Sequence, residues 1–199
     1  MNTAKLLSLS LLMLCGSAFA ADMAKISGGS YRPLYLKKDT PMIAVAACEL
    51  DKTPVTNVSW FAANAYCAAQ GKRLPTIDQW EYAGQASATR KNGTTEPGYS
   101  RTILDWYADS SQQGLREVGK SRANYWGVHD MHGLIWEWTE DFNSSLLSSG
   151  SADANMFCSG AAIGTADPSD YAAFLRYGLR TSLQAKFSLH NLGFRCAKA

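Results

Sequence analysis

The sequence contains few charged residues, and they form no long run of one sign. Lysine and arginine number 19, aspartate and glutamate number 17, and the formal net charge is +2 over 199 residues. Without a basic patch the chain lacks the electrostatic footprint of nucleic-acid-binding proteins, so we expect no nucleic-acid partner. Hydrophobic residues make up 46 % of the chain, which argues against disorder and is enough to build one domain around a core.

Long hydrophobic runs are also scarce. The most apolar stretch, Leu6–Cys15, is too short to span a bilayer as a helix. It follows Lys5 and precedes Ala18-Phe19-Ala20, which is the order of charged, apolar and small residues in a secretory signal peptide. We therefore predict a signal peptide over residues 1–20 and a mature domain over residues 21–199. The mature protein is expected to be periplasmic or secreted and free of the membrane; the alternative is a buried N-terminal helix.

Cysteine is sparse as well. The chain has five cysteines, and Cys15 would leave with the signal peptide. In an oxidising compartment the remaining four can pair in three ways, and their spacing does not choose among these. The four are Cys48, Cys67, Cys158 and Cys196.

Regular secondary structure is predicted for only short parts of the chain. Ser59 is placed as the N-cap of a helix from Trp60 to about Gln70. Thr76 and Gln79 form the pattern of a capping box, in which each side chain bonds the other residue's backbone N–H at the start of a helix.

The remaining elements are predicted to be strands and loops. Hydrophobic patterning indicates strands at Ile103–Ala108, Leu134–Thr139 and Asn191–Cys196, and we expect the second of these to be central and mostly covered. No repeat and no domain linker interrupts the pattern. Two helices, short strands and long loops together predict a single α+β domain with little regular structure.

The stretch from Asn124 to Phe142 concentrates the residues that can carry chemistry. Glu137 stands between two tryptophans, and a buried carboxylate needs a cation or several hydrogen-bond donors. Asp130 and Glu137 flank a glycine turn, so together they could present oxygens to a hard metal ion. The alternative is neutralisation by an arginine, and the candidates are Arg73, Arg176, Arg180 and Arg195.

Three blocks of sequence, Val58–Ala83, Tyr125–Trp138 and Asn191–Cys196, resemble the formylglycine-generating enzyme family, also called sulfatase-modifying factors. The resemblance covers most of the mature chain and implies the family's variant of the C-type-lectin-like fold. It also implies a disulfide between Cys67 and Cys196, which would join the first helix to the last strand.

The resemblance further implies a structural calcium ion in the second block. Carried over by position, the side chains of Asp130 and Glu137 and the backbone carbonyls of Gly133 and Ile135 are its expected ligands. An iron site built on His129 and His132 is disfavoured, because two histidines at this spacing on a strand or turn do not face one another.

The family's oxidase chemistry requires two cysteines that hold copper and oxidise a substrate cysteine to formylglycine. Here Cys158 matches the first cysteine, whereas Ala172 stands at the second position, so copper is not expected to bind. Cys48 could supply a substitute thiol; alternatively it pairs with Cys158, or Cys158 is a lone buried thiol. Trp136 and Asn191 match residues around the reactive cysteine.

Two functions follow as expectations. The first is a protein-maturation factor with an incomplete copper/cysteine oxidase site, acting on a peptide or protein substrate in the periplasm. The second is a non-catalytic lectin-like module that binds a ligand or a protein. Whether Cys158 has a second thiol beside it distinguishes the two.

Overall fold

Within the described part of the chain, eight short strands form three small sheets. The structure is a computed structural model, and it describes residues 22–32, 41–109, 115–143, 172, 175, 176, 178–180 and 182–199. The predicted signal peptide and Cys158 lie outside these residues. The strands are β1 (Met23–Ile26), β2 (Gly29–Tyr31), β3 (Ile43–Val45), β4 (Cys48–Asp51), β5 (Val55–Thr56), β6 (Trp136–Glu137), β7 (Leu192–Phe194) and β8 (Ala197–Lys198).

The three sheets bring distant parts of the chain together. The first has the order β1-β4-β8 and is antiparallel throughout, and the second is the antiparallel pair β2-β3. The third has the order β5-β7-β6, with β5 antiparallel and β6 parallel to β7. The last two strands of the described residues therefore belong to different sheets: β8 to the first and β7 to the third.

The strand predicted at Leu134–Thr139 is shorter than expected and lies at an edge. β6 contains only Trp136 and Glu137, and it pairs with β7 on one side. The prediction of a central strand is wrong, although the segment is well covered. Trp138 is fully buried because it packs in one core cluster with residues of the first helix and of β7.

The first two helices form where their capping residues predict. Helix α1 (Trp60–Ala69) begins after Ser59, whose Oγ accepts a hydrogen bond from the Ala62 N–H at 3.3 Å. Helix α2 (Ile77–Gly84) begins after Thr76, and both hydrogen bonds between Thr76 and Gln79 are present at 3.1 Å. Both N-caps are confirmed.

A third helix replaces a predicted strand. Helix α3 (Tyr99–Asp109) includes the whole of Ile103–Ala108, so the strand prediction is wrong there. Arg101 and Asp105 form an ion pair across one helical turn at 2.7 Å, whereas Ile103 is buried. The apolar residues of this segment recur with a helical period. The apolar run is short, however, and a short apolar run is also compatible with a strand, which explains the wrong prediction. Residues 172, 175, 176, 178–180 and 182 are helical as well.

The core of the described residues consists of two clusters, and a disulfide lies within the second. One cluster surrounds the first sheet and includes Trp80 and Cys48; the other includes Trp138 and Phe194. A disulfide between Cys67 and Cys196 has a Cα–Cα distance of 5.6 Å and a sequence separation of 129 residues. The pairing implied by the resemblance is thus present.

None of the helices in the described residues has the length and apolar character needed to cross a membrane.

Candidate functional site

A cavity of about 310 Å³ lies beside β6, between α3 and the residues that immediately precede β7. Trp136 and Asn191, the two pocket residues expected from the sequence, both line it. Its other lining residues come from α3 (Thr102, Asp105, Trp106), from the segment before the glycine turn (Leu115, Arg116, Ser121), from the turn itself (His132, Gly133, Leu134, Ile135) and from His190.

One wall of the cavity is aromatic. The rings of Trp106 and Trp136 are 5.4 Å apart between centroids and tilted by 57°. The Trp136 backbone N–H donates to the Asn191 carbonyl at 2.8 Å, which fixes Trp136 beside the start of β7. Paired indoles offer a large apolar surface that a ligand side chain or an extended backbone can cover.

The cavity also has charged groups of both signs. Asp105, on α3, is exposed and pairs with Arg101 at 2.7 Å. Arg116, from the segment before the glycine turn, donates to the Gly133 carbonyl. A ligand with polar backbone groups would therefore meet an acceptor and a donor at this site.

His132 contributes an uncharged imidazole to the lining. Its Nε2 lies 2.7 Å from the Gly84 carbonyl, so Nε2 carries the proton and Nδ1 is the acceptor. Nδ1 has no hydrogen-bond partner among the described residues. Burial, reinforced by the nearby Arg176 guanidinium, lowers the pKa of His132 to about 4. The ring is therefore neutral at pH 7.

A buried cluster of charges surrounds Trp80 next to this cavity. Glu81 accepts from Arg176 at 2.6 Å and from Arg180 at 2.6 Å. The Trp80 ring lies under both guanidinium groups, at 5.6 and 4.8 Å from its centroid. Burial alone would raise the pKa of Glu81, but the two arginines outweigh it and lower that pKa to about 2. This cluster and the 310 Å³ cavity are connected through Trp106 and Trp136, which also line a cavity of about 10 Å³ beside Arg180.

Arg195 neutralises Glu137. Its Nε donates to Glu137 Oε2 and its Nη2 to Oε1, both at 2.7 Å, and the two side chains are 0 % exposed. The Trp80 indole N–H donates to Oε2 at 2.9 Å. Of the two ways of satisfying Glu137 that the sequence left open, the arginine is therefore present.

The other expected calcium ligands are also engaged by the protein. Asp130 accepts from the backbone N–H groups of Gly119 at 2.6 Å and Ser121 at 3.3 Å. The Gly133 carbonyl accepts from Arg116. Among the described residues no group of three or more His, Cys, Asp or Glu side chains could hold a metal ion. The four positions do not fit a calcium ion as they stand, because Asp130 already accepts two hydrogen bonds, Glu137 accepts three, and guanidinium groups contact two of the four ligands. Calcium binding at Asp130, Gly133, Ile135 and Glu137 stays a prediction, and it requires Arg195 and Arg116 to move.

Neither candidate for the second thiol position lies in the large cavity. Ala172 is 1 % exposed and lines a separate cavity of about 20 Å³ with Glu81 and Arg176. Cys48 is a free thiol in the cluster around the first sheet, where burial raises its pKa. The role predicted for Cys158 falls outside the described residues.

Sequence reasoning missed the contribution of α3 to this site. Thr102, Asp105 and Trp106 line the cavity, but the strand prediction over Ile103–Ala108 concealed their common location. The spacing of Arg101 and Asp105 is the signal that could have revealed the helix. Arg176 and Arg180 were candidates to neutralise Glu137, and they pair instead with Glu81.

The short strands, few helices and long connections define a mixed α+β domain. A family model described as the sulfatase-modifying factor enzyme 1-like domain matches residues 36–199. The chain therefore belongs to the sulfatase-modifying factor, or formylglycine-generating enzyme, family.

Curated relatives include both inactive and active members by name. The chain is 34 % identical over 158 residues to "Inactive C-alpha-formylglycine-generating enzyme 2" of Bos taurus, covering 72 % of this chain and 50 % of that protein. It is 31 % identical over 163 residues to "Formylglycine-generating enzyme" of Streptomyces coelicolor, covering 72 % and 52 %. The mouse protein of that name is 28 % identical over 171 residues, covering 72 % and 44 %. The chain thus spans about half the length of the curated relatives it matches.

Proposed function

We propose that the chain is an exported, non-catalytic member of its family that binds an extended segment of a partner protein. The observation that carries this proposal is the 310 Å³ cavity, which is lined by Trp106, Trp136 and Asn191 and flanked by Asp105 and Arg116. Such a volume suits a few residues of extended peptide, with indoles to cover apolar side chains and polar groups to meet the peptide backbone.

The surroundings of the cavity support binding rather than oxidation. Ala172 has no thiol, and it lines a different, smaller cavity. Cys48 is buried in the cluster around the first sheet. A copper(I) site needs soft thiolate ligands, and these two positions bring none to Trp136.

Export is proposed from the amino-acid sequence and the disulfide. Lys5, the apolar stretch Leu6–Cys15 and Ala18-Phe19-Ala20 form a secretory signal. The disulfide between Cys67 and Cys196 would persist in an oxidising compartment such as the periplasm. The partner is then an exported protein.

Selection from a displayed library of short random peptides tests the binding proposal. Trp106→Ala removes a cavity wall that belongs to α3, and Tyr125→Ala is a matched control because Tyr125 is an exposed aromatic outside the cavity lining. Covering an indole contributes about 1.5–3 kcal/mol, so Trp106→Ala should weaken selected peptides roughly tenfold or more while Tyr125→Ala leaves them unchanged. A library without enriched binders, or binders indifferent to Trp106→Ala in a folded variant, would refute the proposal.

Oxidative protein maturation is the second candidate, because Trp136 and Asn191 share one cavity as the family's pocket residues would. In that case Cys158 needs a partner thiol to hold copper. Copper(I) titration of the reduced protein should show no tight site that depends on two cysteines. A tight site lost in both Cys158→Ser and Cys48→Ser would favour oxidation over binding.

A further inference from the structure

Helix α1 exposes a broad face without a charged residue. The chain from Thr53 to Gly71 contains no Lys, Arg, Asp or Glu. Within α1, Ala63 and Cys67 are buried, and at 3.6 residues per turn the exposed residues occupy an arc of about 160°. The exposed residues are Phe61, Ala62, Ala65, Tyr66, Ala68 and Ala69. A helix at a protein surface normally carries polar residues on such an arc, as α3 does with Arg101 and Asp105.

Large apolar side chains extend this face beyond the helix. Phe61 is 61 % exposed, Tyr66 is 48 % exposed and Val55, on β5, is 46 % exposed. The rings of Tyr66 and Phe194 lie 5.4 Å apart, and Phe194 is the strand partner of Val55. The exposed part of α1 and the edge strand β5 therefore form one continuous surface, which we call the α1 face.

We propose that the α1 face is a dimer interface, in which α1 packs antiparallel against α1 of a second copy of the chain. A charged partner surface would lose its hydration here without gaining an opposite charge. The α1 face of another copy has no charge to desolvate, so each copy supplies the surface that the other requires.

The order of residues along α1 makes the face complementary to itself. Ala65 lies at the middle of the helix and near the middle of the exposed arc, and its small side chain allows two helices to approach closely. In an antiparallel pair that crosses at Ala65, the residue four positions earlier faces the residue four positions later. Phe61 of one copy then meets Ala69 of the other, twice over, so that large side chains fill the space beside small ones.

The uncharged helix ends fit the same arrangement, and the small size of the surface limits the strength of the dimer. α1 has no acidic residue in its first turn and no basic residue in its last. An antiparallel partner places the opposite end of its own helix dipole beside each of these termini. Because stable interfaces bury about 800 Å² per partner and a single helix face supplies less, we expect a weak dimer with a micromolar dissociation constant.

Sedimentation equilibrium tests the proposal, with the chain purified after the cell's own processing. The perturbation is a charged residue introduced at Ala65. Ala65→Glu and Ala65→Lys each place two like charges at the crossing point, and both residues are good helix formers. Each variant alone should dimerise at least tenfold more weakly than the unchanged chain, and an equimolar mixture should dimerise again. Val118→Glu is the matched control, since Val118 is 45 % exposed and lies outside the α1 face.

Melting temperatures establish that the variants remain folded. A chain that is monomeric at its highest soluble concentration would overturn the proposal. So would a dimer that persists in Ala65→Glu, since its interface would lie elsewhere. Monomeric binding to phosphatidylcholine vesicles that Ala65→Glu abolishes would also overturn it, because the face would then serve a membrane surface.

Discussion

Replacing Glu137 by Gln removes a buried negative charge while keeping the shape of the side chain. Arg195 is 0 % exposed and would lose the only carboxylate among its described contacts. Its remaining acceptors are the backbone carbonyls of Asp51, Lys52 and His129. Removing one partner of a buried ion pair costs about 3–5 kcal/mol, because the other charge stays buried and unpaired. In a chain of this size that corresponds to a decrease in Tm of roughly 10 °C.

Urea unfolding of Glu137→Gln and Glu140→Gln provides a matched comparison. Glu140 is also a carboxylate paired with an arginine, Arg73, but the distance is 3.4 Å and the two side chains are 48 % and 33 % exposed. An exposed pair of this kind contributes about 0–1 kcal/mol. Equal free energies of unfolding for the two variants would refute the argument that Arg195 depends on Glu137.

Melting temperatures of the unchanged chain and of Glu137→Gln distinguish neutralisation of Glu137 by Arg195 from neutralisation by calcium. Because Arg195 already neutralises Glu137, calcium must displace this arginine to bind, and an equal Tm of the unchanged chain with added calcium and with chelator would refute the predicted calcium site. A Tm that rises with calcium in the unchanged chain, and does not rise in Glu137→Gln, would mean that the ion displaces Arg195 and Arg116.

Three further perturbations probe the buried groups. The pKa of His132 is lowered from 6.5 to about 4, so the unfolded chain binds the proton more tightly and the free energy of unfolding should fall as pH decreases from 6.5 towards 4. His132→Gln should reduce this loss in urea titrations at the two pH values, whereas His190→Gln, at an exposed position, should not. Reduction of the disulfide between Cys67 and Cys196 should lower the free energy of unfolding by on the order of 4 kcal/mol, because the unfolded chain gains conformational entropy. Urea unfolding with and without reductant measures this change, and an unchanged midpoint would contradict it. Gly193→Ala should lower the free energy of unfolding by more than about 2 kcal/mol, because a Cβ at this position would overlap the Val55 carbonyl across the β5–β7 pair. A variant as stable as the unchanged chain would show that the two strands can move apart without cost.

The two helix starts were predictable because their signals are local. The Ser59 hydroxyl and the Thr76–Gln79 capping box act on backbone groups within three residues, so the sequence contains both partners of each hydrogen bond. Gly98, rather than Ser, Thr, Asp or Asn, directly precedes helix α3 in the sequence, so no N-cap signal marks its start. Its short apolar run fits a strand or a helix equally well unless the spacing of Arg101 and Asp105 is considered.

The neutralisation of Glu137 was only partly predictable. Burial of a carboxylate between indoles follows from the local sequence, and so does its need for a cation. Which cation satisfies it depends on a contact across 58 residues, and several arginines and a metal ion meet the same chemical requirement. Arg195 is selected because the parallel pairing of β6 with β7 places the end of the chain beside Glu137. The cavity depends in the same way on tertiary contacts, since α3 supplies part of its lining.

The segment Leu192–Lys198 connects most of the structure, and this has a consequence for the order of folding. It supplies the neighbours of β4, β5 and β6, one half of the disulfide, and the guanidinium that reaches Asp51, His129 and Glu137. A growing polypeptide that still lacks these residues has neither the strand that pairs with β5 nor the arginine that neutralises the buried Glu137. We therefore expect the domain to acquire its tertiary structure only after this segment has left the ribosome, so that protease resistance in stalled nascent chains should appear in a single late step.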